Sequence, residues 1–433
     1  MQTPRPNSEI VAQQNGDLWK RWIYLLPAVF VTYSLAYLDR ANFGFGAAAG
    51  LAATLKITGE QTSLLSGLFF VGYFAFQLPG AAFARRRSAS WLVFAALLAW
   101  GTFAALTGVI RVFWLLALDR FLVGVAESVI FPAMLVLLTR WFTRAERSRA
   151  NAFLILGNPL TVLWMSVVTG YLIESFGWQR TFIFEGLPSI LWAFVWIVFV
   201  KDRPSSASWL SRESAETLEA ELAGEQARLG SGVRAVRQAL LRTDVLVLST
   251  LYFFWSLGVY GFVLWLPTMV RRGSALSMGR TGLLSALPYV AAVVAMVLVS
   301  FASDKLGSRE RLVWPFLLLG GLALLGSFVL AERSFAAAFI CLVLAGGCMY
   351  APYGPFFAIV PERLPSTVTA EVLALINSAG ALGGFVGSYF VGWLGAVTGN
   401  SRAGYLLMSL ALGLAGVMMF LLPRSRTAES EVR

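Results

Sequence analysis

Four charged residues stand inside apolar stretches of this chain, and their types and spacing indicate a chemistry. Asp39 and Arg40 are adjacent in AYLDRANF, which closes the apolar run WIYLLPAVFVTYSLAYL, and Arg120 and Glu127 stand seven residues apart in LDRFLVGVAES. A charge at the middle of a membrane helix costs about 2.5–3.5 kcal/mol, so it persists mainly where it faces a cavity. Arginine binds carboxylates through a planar fork, and neighbouring carboxylates can take up protons. The set therefore predicts a buried site for an organic anion, with proton binding beside it.

These four residues can share one site only if their helices run in opposite directions. Asp39 and Arg40 follow about 17 residues of the first apolar run, which is roughly 25 Å of helix. Arg120 lies about eight residues, or roughly 12 Å, into the fourth run from the other side. The arginines therefore reach comparable depth, and Glu127 lies two turns further in on nearly the same face. A purely structural alternative is that the four residues only pair with one another to hold helices together.

The composition places most of the chain in lipid. Of the 433 residues, 58% are hydrophobic and 13% are charged, against about 25% charged in soluble domains. Runs of roughly 18 or more apolar residues predict membrane helices. There are twelve, at approximately 22–45, 61–84, 89–110, 112–138, 150–174, 182–200, 245–270, 280–302, 312–331, 335–358, 368–395 and 403–422. The chain has no histidine, so carboxylates, tyrosine or water must move any protons.

One long polar segment divides the chain. It separates a first half, residues 1–200, from a second half, residues 244–433, and residues 201–243 form a central loop. The net charge of +11 comes from basic residues in short loops, which indicates membrane topology rather than nucleic-acid binding and places both termini and the central loop in the cytoplasm. The first 18 residues lack the apolar core of a cleavable signal peptide. The predicted fold is all-α, with twelve transmembrane helices in two six-helix halves.

Further polar residues in the apolar runs could complete a site for a polyol or a ring. They are Tyr37, Tyr73, Asn158 and Asn377. Hydrogen bonding between helices is the alternative, because a buried amide in lipid needs a partner. Three other acidic residues, expected near helix ends and at the interfaces, are Glu185, Glu362 and Glu371. In the central loop, SAETLEAELAGEQARL predicts an amphipathic helix with Leu218 and Leu222 on one face.

Taken together, six segments resemble the major facilitator superfamily, and within it the anion:cation symporter branch. They are YLDRANF, RFLVGVAES, GWQRTFIFEGLPSILW, DRPSSASWLS, PYGPFFA and ALINSAGALGGFVGSYFVGWL. The resemblance covers nearly the whole chain. That branch includes bacterial permeases for galactonate, hexuronate, glucarate, tartrate and phthalate, and the vesicular glutamate transporters.

The resemblance implies roles for the charged residues. Arg40 would bind the carboxylate of the substrate. Asp39 and Glu127 would bind the coupled protons, and Arg120 would interact with Glu127.

It also implies which residues shape the pocket. Tyr37, Tyr73, Asn158 and Asn377 would line it, and Phe357 would form a smaller aromatic wall, because relatives often read PFW where this chain reads PFF. The turn after the second helix, ARRRSAS, departs from the family. Arg85 stands where relatives have Asp and Ser88 where they have Gly, which alters the latch of the first half.

The expected function is proton-coupled uptake of a small organic anion across a bacterial inner membrane by alternating access. A sugar acid (an aldonate, hexuronate or aldarate) is the expected substrate. An aromatic-acid or dicarboxylate permease of the same family is the alternative, followed by a facilitator or exporter. An enzyme is disfavoured, because the sequence has no metal-ligand cluster and no nucleophile with a base. We expect no cofactor other than protons, no nucleic-acid partner, and a monomer in the lipid bilayer.

Overall fold

The computed structural model describes residues 8–227, 233–306, 309–364, 368–400 and 402–422. Within these ranges the chain is helical almost throughout and forms no strand. The α-helices are α1 Ser8–Ala48, α2 Leu51–Leu55, α3 Gly59–Arg86, α4 Ala89–Thr107, α5 Phe113–Ser128, α6 Ile130–Trp141, α7 Arg144–Phe199, α8 Arg212–Ala227, α9 Val233–Leu240, α10 Thr243–Ser274, α11 Met278–Leu306, α12 Glu310–Ala331, α13 Phe335–Tyr350, α14 Tyr353–Arg363, α15 Thr369–Thr398 and α16 Arg402–Leu421.

Most of these helices are suited to lipid. Within the described residues, eleven segments are long and apolar enough to cross a membrane, at about 20 residues for each crossing. Their outer surfaces expose large apolar side chains, with Trp114 at 74%, Phe301 at 67% and Leu410 at 69% exposure. A water-soluble monomer rarely exposes so much contiguous apolar surface. The bundle is therefore built to be solvated by acyl chains.

The longest segment, within α7, is a hairpin. Its 43 residues, Gly157–Phe199, would form about 65 Å of straight helix, against a hydrocarbon core of about 30 Å. Gly177 breaks the helix with φ 78° and ψ 159°, a conformation open to glycine. Thr169 Oγ1 donates to Glu185 Oε1 at 2.5 Å, although 16 residues of straight helix would separate them by about 24 Å. Each of these two antiparallel arms is about 20 residues long, which is the length of one membrane crossing.

Two other crossings are each made of two helices that meet near a proline. α5 and α6 meet at Val129, and Pro132 has no N–H to donate to the carbonyl four residues before it. α13 and α14 meet at Pro352, whose ψ of 3° departs from helix geometry. The first break follows Glu127 and the second precedes Phe357. Both breaks therefore lie beside side chains that were predicted to form the site.

The central loop packs against the first half of the chain. It contains the 3₁₀ turn Pro204–Ser206 and the helices α8 and α9. Leu218 and Leu222 of α8, predicted to share one face, are both buried. The ring of Trp209 stacks on Trp141 of α6, with centroids 5.1 Å apart. These contacts fix the loop at one end of the bundle, which we name the central-loop end.

At the other end of the bundle, the opposite end, the two halves touch. Arg271 Nη1 of α10 donates to the carbonyl of Ala48 in α1 at 3.0 Å. The backbone N–H of Gly279 in α11 donates to Glu174 Oε2 of α7 at 2.5 Å. Both contacts join a helix of the first half to a helix of the second. They join the two halves at this end.

The altered turn between α3 and α4 takes a carboxylate from elsewhere in the chain. Asp202, just after α7, accepts hydrogen bonds from Ser88 Oγ and from the backbone N–H of Ala89, which caps the N-terminus of α4. Arg140 Nη1 donates to Asp202 at 2.8 Å, and its Nη2 donates to the carbonyl of Arg85 at 3.0 Å. A residue at the start of the central loop therefore braces the turn that lacks its own aspartate.

Candidate functional site

The last three turns of α1 carry the first part of the site. Tyr37, Asp39 and Arg40 are 7%, 2% and 6% exposed, so all three are buried. Arg40 lies eight residues before the end of α1, about 12 Å from the opposite end. Arg120 lies seven residues after the start of α5, about 10 Å from the same end. The two arginines therefore lie at similar depth in antiparallel helices.

Two glycines bring α3 and α5 into close contact. A β-carbon at Gly72 would overlap the carbonyl oxygen of Phe121, and one at Gly124 would overlap the carbonyl oxygen of Phe69. Because glycine has no β-carbon, the two backbones can approach at both points. This approach places Tyr73 of α3 against the part of α5 that carries the charged residues.

The strongest polar contact of the site joins Arg40 to Glu127. Arg40 Nε donates to Glu127 Oε2 at 2.9 Å, and the two side chains are 5% and 0% exposed. The resemblance to the family implied that Arg120 would interact with Glu127. In the structure the hydrogen-bonded partner is Arg40 instead, because Glu127 lies two turns beyond Arg120 and faces α1. Removing either member of a buried pair leaves an uncompensated charge, which costs about 3–5 kcal/mol.

Aromatic rings surround both guanidinium groups. The guanidinium carbon of Arg40 lies 4.7 Å from the ring centroid of Tyr37 and 4.5 Å from that of Tyr73, both predicted pocket residues. Phe69, which sequence analysis did not identify, lies 5.6 Å from Arg40 and 5.5 Å from Arg120. A desolvated cation–π contact contributes about 2 kcal/mol or more. The rings therefore shield the guanidinium groups from water and attract them through their π faces.

Several buried polar atoms of this cluster have no hydrogen-bond partner among the described residues. They are Asp39 Oδ2, Glu127 Oε1, Arg120 Nε and Arg120 Nη1. Native proteins rarely leave such groups unsatisfied. The cluster therefore offers acceptors for protons and donors for an anion or for water.

The second half of the chain faces the site with aromatic side chains. Tyr260 Oη of α10 lies 3.3 Å from Tyr37 Oη, which is a hydrogen bond between the halves. The ring of Phe357, the predicted wall, lies 5.3 Å from that of Tyr252. Tyr252 and Tyr260 are eight residues apart and so share one face of α10. Sequence analysis missed both tyrosines, although their helical spacing was visible.

Asn158 lies nearer the central-loop end than Arg40 does. It is 8% exposed, and its Oδ1 has no partner among the described residues. A β-carbon at the adjacent Gly157 would lie 3.2 Å from the ring of Phe30 in α1. Phe30 precedes Arg40 by ten residues, about 15 Å along the helix. The structure thus does not bring Asn158 into contact with the Arg40–Glu127 pair.

Asn377 lies in α15, in the second half, and is partly exposed. Its neighbour Ser378 donates from Oγ to Gln77 Oε1 of α3 at 3.2 Å, a second hydrogen bond between the halves. Gln77 lies one turn beyond Tyr73 toward the central-loop end. Asn377 therefore lies at the junction of the halves, between Tyr73 and the central-loop end.

These observations define a class of protein. A helical bundle that exposes apolar side chains to lipid, and buries ionisable residues where its two halves meet, is a multi-pass membrane transporter. Among the described residues no three His, Cys, Asp or Glu side chains are grouped as metal ligands would be. The sequence profile of the Major Facilitator Superfamily matches residues 29–388 and 275–433. The chain belongs to this family, and it is a transporter rather than an enzyme.

Individual relatives cover nearly the whole chain. A protein of Agrobacterium vitis, provisionally named as a tartrate transporter, is 30% identical over 415 residues, which are 94% of this chain and 92% of the relative. A quinolone resistance transporter of Acinetobacter baumannii is 31% identical over 398 residues, 90% of each chain. A solved bacterial homolog of the human lysosomal transporter Spinster, inward-facing and occupied, has a TM-score of 0.75 at 18% identity, over 92% of this chain and 96% of that one. The last likeness establishes the fold alone.

Proposed function

We propose that the protein is a proton-coupled symporter that takes up a small organic anion, with a sugar acid (an aldonate, hexuronate or aldarate) as its substrate. The observation that carries the proposal is the buried ion pair between Arg40 and Glu127, beside Asp39 and near the junction of the halves. The relative named for tartrate supports an anionic substrate, since tartrate is a hydroxylated dicarboxylate.

The ion pair suggests how protons and the anion are coupled. Protonation of Glu127 would remove its negative charge and release the guanidinium of Arg40 for the carboxylate of the substrate. Proton binding and anion binding would then favour each other, as symport requires. Asp39 is the second proposed proton site, and Arg120 compensates its charge when the proton has left. This exchange of partners is available because Glu127 is bonded to Arg40, and not to Arg120 as the family resemblance implied.

We place the central-loop end in the cytoplasm and the protein in the bacterial inner membrane, because the basic loops favour that orientation. The opposite end, where the halves touch, then faces outward, and the paired Arg40 and Glu127 represent the site after release of the substrate. In the outward-open form Asp39 and Glu127 would bind protons and Arg40 the anion. The halves would then rock, and the ligands would leave toward the central-loop end.

The remaining pocket residues fit a hydroxylated substrate. With its carboxylate on Arg40, a sugar acid would extend past Tyr37 and Tyr73 toward the central-loop end. There Asn158 and Asn377 offer amide groups for its hydroxyls.

A second candidate is an aromatic acid. The observation that favours it is the ring cluster of the second half, in which Phe357 packs beside Tyr252. Offset or edge-on contacts with a planar substrate ring contribute about 0.5–1.5 kcal/mol beyond the area they bury. Phe357 would in this case form one wall of a slot for the ring, and the Arg40 chemistry would be unchanged.

The test is uptake of labelled galactonate into proteoliposomes, with and without an inward proton gradient. Competitors are a hexuronate, tartrate, an aromatic acid and a quinolone. Accumulation that requires the gradient and is blocked by the sugar acids is the expected result. Inhibition by the aromatic acid alone would retain the mechanism and change the substrate. Uptake that ignores the gradient would overturn proton coupling, and inhibition by the quinolone alone would favour a drug transporter.

A further inference from the structure

Glu185 is a buried carboxyl group that the mechanism above does not use. It lies in the second arm of α7, eight residues beyond the Gly177 bend, and is 5% exposed. The sequence predicts that Glu185 lies near a helix end at the membrane interface. In the structure its oxygens instead accept hydrogen bonds from Thr169 Oγ1 at 2.5 Å and from Asn42 Nδ2 at 3.0 Å.

Asn42 connects Glu185 to the proposed proton site at Asp39. The same amide nitrogen that donates to Glu185 also donates to Asp39 Oδ1, at 3.3 Å. Asn42 follows Asp39 by three residues on α1, so the two side chains lie on one face of the helix. One buried amide group therefore serves carboxyl groups from two different helices.

The surroundings of Glu185 differ from those of Glu127. Glu127 has a cation, Arg40, whereas the oxygens of Glu185 meet a hydroxyl and an amide, which are both neutral. Asp39, which is linked to Glu185 through Asn42, is also acidic. A buried carboxylate without a cation is costly in lipid.

Among the described residues, no basic side chain is hydrogen-bonded or ion-paired to Glu185. α4 has no ionisable residue between its first and last positions. The basic residues of α11 lie at its two ends, at Arg280 and Lys305. From α1, Asn42 and through it Asp39 reach Glu185, whereas Arg40 of the same helix is paired with Glu127. The helix α6 also packs on α7, and its Arg140 is paired with Asp202.

Unpaired atoms in this cluster also indicate a proton. Asn42 Oδ1 and Asp39 Oδ2 are buried acceptors without a partner among the described residues, and Asp39 also lies against the carboxyl group of Glu127. An ionised carboxylate has only acceptors, whereas a protonated carboxyl group has an O–H that can donate. One proton held within this group of three side chains would supply a donor that the acceptors now lack.

We propose that Glu185 is a third proton-binding carboxyl group of the transporter and that Asn42 links its protonation to that of Asp39. Two acidic groups joined in this way cannot both ionise easily, so they exchange protons as a pair. The inference rests on the proposed function for its role in transport. Its physical content, a linked carboxyl pair, does not.

The first test is independent of transport. Infrared spectra of the full chain in lipid bilayers are recorded across pH, and the carbonyl band of protonated carboxyl groups is followed. Glu185→Gln is expected to remove one component of the band and to move the Asp39 component to lower pH by about one unit, a tenfold change in proton affinity. Glu60→Gln, at an exposed position near the start of α3, is the matched control and should leave the Asp39 and Glu185 components of the band unchanged. A Glu185→Gln titration that coincides with the control overturns the proposal.

A second variant guards against misfolding. Thr169→Val keeps the Glu185 carboxyl group and removes one of its two hydrogen-bond donors. The Glu185 component should therefore titrate at higher pH, while the Asp39 component should titrate close to its wild-type pH. Asn42→Leu, which is similar in size, should abolish the effect of Glu185→Gln on Asp39 when the two changes are combined. If the two components still move together without Asn42, the link through Asn42 is wrong.

Transport then separates this inference from the proposed function. In proteoliposomes, Glu185→Gln should shift the pH midpoint of gradient-driven uptake by about one unit and leave substrate exchange intact. A wild-type protein without gradient-driven uptake would refute the proposed function, and the infrared result would still decide the status of Glu185. Driven uptake in the variant with an unchanged midpoint would exclude Glu185 from coupling.

Discussion

The two halves of the bundle present different chemistry to the space between them. Within the described residues, the acidic and basic side chains of the membrane segments that are almost fully buried all belong to the first half; they are Arg21, Asp39, Arg40, Asp119, Arg120, Glu127 and Glu185. Among the described membrane residues of the second half, the buried polar side chains are mostly hydroxyls. They include Tyr252, Tyr289, Tyr350, Tyr353, Ser256 and Ser285.

This difference assigns different tasks to the halves. A change in proton concentration can alter the charge of the first half, while the buried hydroxyls of the second half stay neutral at physiological pH. The halves meet beside Arg40 through two neutral groups, Tyr37 and Tyr260. We therefore expect substitutions in the first half to change coupling and substitutions in the second half to change substrate preference.

The largest expected effect is that of Arg40→Ala. The change removes the proposed ligand of the substrate and leaves Glu127 buried without a cation, at a cost of about 3–5 kcal/mol. Uptake and exchange should both fall at least about a hundredfold. Labelled-substrate exchange in proteoliposomes measures this, and Arg111→Ala, at an exposed position at the opposite end, is the control. Exchange at the wild-type rate in Arg40→Ala would place the anion elsewhere.

Glu127→Gln should separate two activities that Arg40→Ala abolishes together. A neutral glutamine leaves Arg40 available for the anion, so exchange should persist, but a group that cannot lose a proton cannot couple transport to the gradient. Accumulation above equilibrium should therefore disappear. The measurement is exchange and gradient-driven uptake in one preparation, with Glu60→Gln as control. Equal loss of both activities would show that Glu127 only supports the fold.

The helices themselves were largely predictable from the sequence. The apolar run at 61–84 corresponds to α3, Gly59–Arg86, and the run at 312–331 corresponds to α12, Glu310–Ala331. Hydropathy is informative here because a helix is the simplest way to satisfy the backbone polar groups of a segment in lipid. The predicted helix boundaries were wrong where a helix continues into polar sequence. α1 begins at Ser8, well before the apolar run at 22–45.

The partners of individual side chains were not predictable. Helical periodicity places Glu127 and Arg120 on one face, but it does not say which neighbouring helix that face meets. The structure pairs Glu127 with Arg40 because the last turns of α1 lie beside the last turn of α5. The link from Asp39 to Glu185 likewise depends on the bend at Gly177, since that bend decides which residues of the two arms of α7 come together.

In the second half, Phe357→Ala tests whether this half sets substrate preference alone. The change removes ring contacts that contribute about 0.5–1.5 kcal/mol, so the KM of the substrate that packs on this wall should rise up to about tenfold. The requirement for a proton gradient should not change. Uptake is compared for a sugar acid and an aromatic acid, with the lipid-exposed Phe301→Ala as control. A loss of proton dependence in Phe357→Ala would contradict the division of tasks.

A smaller effect, on stability, is expected from Asp202→Asn. The first half braces its altered turn with this carboxylate, which caps α4 and pairs with Arg140. Loss of a cap and of a partly exposed ion pair should cost about 1–2 kcal/mol. Thermal unfolding in detergent should show a lower Tm than in Glu60→Gln, with the loss largest at low salt. An unchanged Tm would mean that the turn does not need the carboxylate.

The smallest effect is expected where the halves meet, from Tyr260→Phe. The bond between Tyr260 and Tyr37 is long, at 3.3 Å, so its net contribution should lie near the lower end of the usual range, about 0.5 kcal/mol or a twofold change in rate. Tyr37→Phe removes the same bond from the other side but also alters a ring that contacts Arg40. If the bond only steadies the state closed at the opposite end, each variant should change exchange about twofold, and the double variant should be no worse than Tyr37→Phe alone. If Tyr260→Phe instead abolishes accumulation while exchange persists, the second half takes part in proton coupling, and the division between a charged half and a hydroxyl half fails.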